Sequence, residues 1–133
     1  MPITYCTDKI PDLDDVIDLY RLCLVESPRP VEDRDRMKNL IQHASILCTA
    51  YSDKKLVGIC RALSDFSYVT YISDLAVHPD FQAQNIGKAL LDKTKEKSGP
   101  VEKIVLLSNI KANTYYPHLG FSSHPRAWVQ ELP

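Results

Sequence analysis

Between Asp74 and Leu91 the chain reads DLAVHPDFQAQNIGKALL, and this stretch leaves few architectures open. A β-prone run, YVTYISDLAVHP, is stopped at Pro79, which has no N–H for a sheet ladder. A polar connection follows. From about Asn85 to Ser98, Ile86, Ala89, Leu90 and Thr94 recur at helical spacing, and Gly99 and Pro100 then supply stop signals. VEKIVLLS after them reads as a buried strand. Set among sequential strands, this strand–helix–strand crossover implies a mixed sheet with helices on both faces.

The rest of the chain fits that frame. Ile3 to Cys6 suits a first strand. In PDLDDVIDLYRLCLVES, Leu13, Val16, Ile17, Tyr20, Cys23 and Leu24 share one helical face, with Asp12, Asp14 and Asp15 at the positive end. SPRP at residues 27–30 breaks this helix, and Met37, Leu40, Ile41 and Ala44 mark a second. Ile46 to Tyr51 and Leu56 to Leu63 flank the polar SDKK as a β-hairpin. ANTYYPHL reads as a short helix, and GFSSHPRAWVQEL as two final short strands. At 133 residues, with no repeat and no linker-like segment, residues 1–133 are expected to form a single domain.

Composition narrows the function classes. No apolar run approaches the roughly 20 residues needed to span a bilayer, so no membrane role is expected. Sixteen basic against seventeen acidic residues leave a net charge of -1, which offers nucleic acid no bulk attraction. The start, MPITYCTDKIP, lacks the basic and apolar regions of a signal peptide, and a cytoplasmic protein is expected. Cys6, Cys23, Cys48 and Cys60 show no CxxC spacing and read as reduced core residues. His43, His78, His118 and His124 are scattered, so no metal is expected.

The loop before the third helix carries the chemistry. A helix start offers free backbone N–H groups and the positive end of the helix dipole, and an anion is stabilised there. Asn85 and Gly87 tolerate the backbone geometry that lets successive N–H groups converge, and Gln82 can donate from its side-chain amide. Taken alone, a polar loop with one glycine is as readily an ordinary connection.

Two motifs sharpen this. LAVHPDFQAQNIGKALL resembles the acetyl-CoA-binding motif of the GCN5-related N-acetyltransferases (GNAT): Gln or Arg, two residues, Gly, one residue, then Gly or Ala. ANTYYPHLGF resembles the second motif of the same family, an aromatic and a tyrosine followed shortly by Gly-Phe. The resemblance implies the α/β GNAT fold: a mixed central sheet of six to seven strands flanked by about four helices, splayed in the middle for acetyl-CoA. Gln82 takes the first motif position and Gly87 the last; Asn85 departs from the first glycine. Backbone N–H groups of Gln84, Asn85, Ile86, Gly87 and Lys88, with Ala83 beside them, would then hold the pyrophosphate. Leu75, Ala76 and Val77 would pair with the pantetheine arm.

The implied reaction is direct transfer from acetyl-CoA, a co-substrate, to a primary amine of a small molecule or peptide, without a metal. The rival class is a catalytically silent acyl-CoA-binding sensor. Within the resemblance, Tyr116 is the acid for the departing thiolate, and the backbone N–H near Leu75 or Ala76 is the oxyanion donor. Asn113 either binds a pantetheine amide or caps a helix. For a general base, alternation places Tyr71 and Ser73 on the face leading to Leu75, and neither suits the role. Asp74 falls on the opposite face, as a structural residue or a base. His78 and His118 would serve only if the fold carried them to the amine; a water chain or a neutral amine is the expectation. Glu26, Arg29, Glu32, Asp33 and Arg36, with Arg126 and Trp128 in the tail, are candidates for acceptor recognition or simply a solvated, mixed-charge surface, and Arg61 and Asp65 are further candidates for the acceptor cleft. Relatives often dimerise through terminal strands, so a homodimer is a further expectation.

Overall fold

The computed structural model describes residues 2–109 and 112–133. Two helices form first where acids cap them. Asp12 accepts a hydrogen bond from the Asp14 N–H at 2.8 Å and opens α1, Leu13–Cys23. Asp33 does the same for the Arg36 N–H at 3.1 Å and opens α2, Arg34–Gln42. Val16, Ile17, Leu19 and Tyr20 from α1, with Met37 and Ile41 from α2, form a buried stripe.

That stripe packs on one face of a five-stranded sheet: β1 Ile3–Cys6, β2 Ile46–Ser52, β3 Lys55–Ser64, β4 Val69–Val77 and β5 Lys103–Leu106, in spatial order β1-β2-β3-β4-β5. All neighbours are antiparallel except β4 and β5, which are parallel. A parallel pair needs a crossover, and α3, Ile86–Ser98, supplies it across the other face. There Ile86, Leu90 and Leu91 close on Cys48, Ala50, Val57, Cys60, Ala62 and Ile72. The helix sits low on the sheet because Gly58 lies beneath it: a Cβ at that position would stand 3.0 Å from Ile86 Cγ2 and 3.1 Å from Leu90 Cδ1.

Fold class and layer order agree with the sequence reading, with three differences. The sheet has five strands among the described residues, not six to seven. Residues 122–133 form no strand: Pro125 sits in a turn closed by Ala127 N to the His124 carbonyl, and the tail beyond is exposed, with Trp128 92% exposed. An alternating pattern makes a strand only where a ladder partner receives it. Second, ANTYYPHL is not an α-helix but a turn ending in the 3₁₀ segment Tyr116–Leu119. Its bonds span three residues, Gly120 takes φ 89° at its end, and Pro117 has no N–H with which to extend a longer ladder.

Third, β4 is bulged. Arg61 faces Asp74 but Ala62 faces Ile72, so Ser73 is an extra residue. This moves the strand by one face: Ile72 packs with Leu75 and Val77 on the α3 side, while Ala76 joins the α1–α2 side and Asp74 turns toward Tyr20 of α1.

Candidate active site

The parallel ladder between β4 and β5 ends at Ile72 opposite Leu106. Beyond it the two chains no longer pair, and a cleft of about 160 Å³ opens in the gap. Ile72, Ser73 and Leu75 form its β4 wall, Leu106 to Asn109 the facing wall, Ala112 and Tyr116 its aromatic side, and Leu24, Ser27 and Arg29 its outer rim. The bulge corrects the expected alternation: Ile72, not Tyr71, shares the Leu75 face, and Ser73 reaches the cleft from the bulge itself.

Tyr116 and Leu75 therefore share one cavity, although 41 residues separate them (116 minus 75). Tyr116 is half-buried, held edge-on between Tyr115 and Phe121 at ring-centroid distances of 5.4 and 5.6 Å. Burial, reinforced by Cys60 and Tyr115, pushes its phenol up to about 12, so it carries its proton throughout the neutral range. Asn113, exposed, accepts a hydrogen bond at Oδ1 from Ser108 Oγ, which ties the second motif to the end of β5 rather than capping a helix.

At the other end of β4 the chain enters a 3₁₀ turn, Pro79–Gln84, in which no residue is buried. His78 caps this turn, its Nδ1 accepting from the Asp80 N–H at 3.1 Å. Gln82 folds back, its amide donating to the Val77 carbonyl at 3.3 Å, while Ala83 and Gln84 are exposed. Asn85 then takes the left-handed conformation, φ 57° and ψ 26°, and its side chain does not cap α3. The first helical bond runs from Ala89 N to the Asn85 carbonyl at 3.1 Å, so the N–H groups of Ile86, Gly87 and Lys88 stand ahead of the ladder. Lys88 pairs with Asp92 at 2.7 Å on the exposed side of α3.

Gly87 lies beneath the tip of the part-exposed Tyr115 side chain. A Cβ there would come within 2.9 Å of the Tyr115 hydroxyl. Tyr115 thus stands over the helix start. Its signal was its neighbour: Tyr116 faces the cleft, so Tyr115 turns toward α3.

Above the cleft lies a cluster that the sequence pattern does not single out. Asp74, fully buried, receives Tyr20 Oη at 2.7 Å, Arg29 Nε at 2.6 Å and Arg61 Nε. Arg61 also donates to Ser73 Oγ at 2.7 Å. Burial alone would raise the Asp74 carboxyl, but bonds and charge from Arg61, the Tyr20 hydroxyl and the charge of Arg29 outweigh it and hold it below the usual carboxylate range. The same burial, with Asp74 beside it, raises the Tyr20 phenol. Asp74 is therefore ionised in the neutral range and anchors the cluster, outside the lining of the cleft.

The remaining expected residues are dispersed. Arg61 stays behind the cleft, and Asp65 lies in the exposed β3–β4 connection, accepting from the N–H groups of Tyr68, Val69 and Ser67 at 2.7 to 3.1 Å; those bonds hold its carboxyl low. Glu32 pairs with Arg21 on the surface. Asp33 caps α2, and Arg126 and Trp128 are on the exposed tail. Neither His78 nor His118 reaches the cleft, and among the described residues lining it there is no carboxylate and no imidazole. Among the described residues no group of three His, Cys, Asp or Glu could hold a metal ion, and no helix is long and apolar enough to cross a membrane.

Comparison with known proteins bears on family and fold. Residues 13–121 match the model of the Acetyltransferase (GNAT) family. The N-acetyltransferase ycf52 of Gracilaria tenuistipitata var. liui is 34% identical over 84 residues, 62% of this chain and 46% of that protein. GCN5-related N-acetyltransferase 2, chloroplastic, of Arabidopsis thaliana is 35% identical over 75 residues, 55% of this chain and 29% of its own. The matches thus span less than half the length of these relatives. Among solved structures, a GNAT-family acetyltransferase from Streptococcus pneumoniae superposes with a TM-score of 0.78 at 22% identity, covering 98% of this chain and 100% of that one. At that identity the likeness speaks for the fold.

Proposed function

Because the chain belongs to the Acetyltransferase (GNAT) family, we propose that it is an acetyl-CoA-dependent N-acetyltransferase acting on a primary amine of a small molecule or peptide. The observation that carries this reading is the cleft shared by Leu75 and Tyr116 where β4 and β5 stop pairing. Acetyl-CoA would supply an acyl group activated as a thioester. The residues present suit it: the N–H groups of Ile86, Gly87 and Lys88 and the positive end of α3 favour a pyrophosphate.

In this reading the backbone of Leu75, Ala76 and Val77 runs along the pantetheine arm, and the Leu75 N–H donates to the acyl oxygen. Asn113 commits its oxygen to Ser108 and keeps its amide N–H groups for a pantetheine carbonyl. Tyr116 holds a proton at Oη for the sulfur that departs. With no carboxylate or imidazole among the described lining residues, the amine loses its proton to water or arrives neutral.

The test is thiol release from acetyl-CoA against a panel of amines, amino acids, polyamines and short peptides, with CoA binding measured by calorimetry on the same sample. Amine-dependent turnover is expected. Tight CoA binding without turnover across the panel would instead favour a silent acyl-CoA sensor, the reading to which the missing base lends support. A homodimer and a cytoplasmic location belong to the same proposal. A monomer in light scattering would remove the first, and an organellar location in cell fractionation would remove the second; the Arabidopsis relative is named as chloroplastic.

A further inference from the structure

The outer rim of the cleft holds a guanidinium fixed in place. Arg29 Nε donates to Asp74 at 2.6 Å, Nη1 to the Ser27 carbonyl at 2.6 Å and Nη2 to the Ser73 carbonyl at 2.7 Å. Each Nη carries a second N–H, with Ser27 Oγ 3.4 Å from Nη1. Three bonds to strand, connection and carboxylate set the plane of the group before any ligand arrives. Asp74 and Arg61 stand behind it, 0% and 7% exposed at their side chains, while Arg29 is 22% exposed and lines the cleft.

The charges do not cancel. Two guanidinium groups face one carboxylate, and Tyr20 stays neutral, so the cluster holds one positive charge in excess at the rim. The neighbouring polar walls, Ser27, Ser73, Ser108 and Asn109, are uncharged. An ammonium group recognised for its charge would find no counter-charge among the described lining residues. A monoanion would find the uncommitted N–H of Nη2 and, beside it, the Nη1 N–H that otherwise makes only the long 3.4 Å bond to Ser27 Oγ.

We propose that Arg29 is the acceptor-recognising residue and that the acceptor is a primary amine bearing a carboxylate within a few bonds of its nucleophilic nitrogen. This rests on the acetyl-transfer reading above. A single excess charge suits a carboxylate better than a phosphate dianion, and a cleft of about 160 Å³ suits a small molecule. Arg29 holds the carboxylate while the amine reaches inward past Ser73 toward Leu75 and Tyr116.

The experiment measures acetylation of amine pairs that differ only as carboxylate and carboxamide, such as glycine with glycinamide and β-alanine with β-alaninamide. The parent protein, Arg29→Gln and Arg29→Lys are compared, with melting and CoA titration for each. The two members of a pair differ in amine basicity, but that difference is common to all three proteins and drops out when their preference ratios are compared. The ratio is also independent of the folded fraction, so a variant that melts early remains informative. The parent's carboxylate-to-carboxamide ratio in kcat/KM is expected to fall by about tenfold or more in Arg29→Gln, carried mainly by KM, and Arg29→Lys should retain part of it.

A carboxylate-to-carboxamide ratio that Arg29→Gln leaves unchanged overturns the inference and leaves acetyl transfer standing. Absence of turnover with every amine overturns acetyl transfer, and the role of Arg29 with it.

Discussion

The cluster around Asp74 and the loop from Pro79 to Lys88 leave the same strand only a few residues apart, yet they are built from different parts. The cluster is made of side chains: Tyr20, Arg29 and Arg61 converge on one buried carboxylate from α1, the α1–α2 connection and β3. The loop is made of backbone: no residue of its 3₁₀ turn is buried, and its shape depends on Asn85 at positive φ and on the missing Cβ of Gly87. The first should depend on residue identity throughout. The second should tolerate most changes except those that alter φ or fill space.

The largest effect is expected at the cluster. Asp74→Ala leaves two arginines without their carboxylate and should cost about 3–5 kcal/mol in chemical denaturation; a loss below about 1 kcal/mol would mean that the cluster is not what secures β4. In the cleft, Tyr116→Phe should lower kcat by about 10²–10⁴-fold under conditions where chemistry limits turnover, with CoA affinity retained. Unchanged turnover would remove its proton-donating role.

In the loop, Gly87→Ala should weaken CoA binding by about tenfold through its collision with the Tyr115 hydroxyl. Adding Tyr115→Phe should recover most of that in calorimetry. If it recovers nothing, the glycine is needed for the approach of the phosphate and not for Tyr115. Gly87→Val, with more to accommodate, should abolish binding.

Asn85→Ala should cost about 1 kcal/mol, because glycine, asparagine and aspartate take the left-handed conformation more cheaply than alanine, and Asn85→Gly should be close to neutral. A final contrast uses pH. The Asp74 carboxyl is lowered in the folded chain, so its stabilisation is complete above the unfolded value of about 3.9 and lost as pH falls through the lower folded value. Acid denaturation of Asp74→Asn should therefore be shallower than that of the parent, whereas Asn85→Ala should keep the parent's slope.

Much of this contrast follows how information is written in a chain. The loop was legible because its requirements are local: Pro79 stops a ladder, Asn85 tolerates positive φ, and a helix start must expose N–H groups. The strand at Ile3–Cys6, the hairpin across residues 46–64 and the two capped helices were legible on the same grounds. The cluster was not, since Tyr20 and Asp74 are 54 residues apart and no spacing rule joins them. Alternation even misdirected the reading of β4, because one extra residue at Ser73 exchanged the faces on which Tyr71 and Ile72 were expected.

The amino-acid sequence by itself determined the layered α/β plan, the helix that crosses from β4 to β5, and the two motifs that mark the loop and Tyr116. Periodicity, caps and turn residues act over a few neighbours, and a few neighbours are enough to read them. Only the tertiary structure decided where the β4–β5 ladder stops, that Tyr115 covers Gly87, that the tail adds no strand, and that Arg29 faces the cleft while Arg61 stands behind it. Each of these depends on which distant surface a segment meets, and burial, ladder pairing and ion pairing are settled by that partner and not by the segment alone.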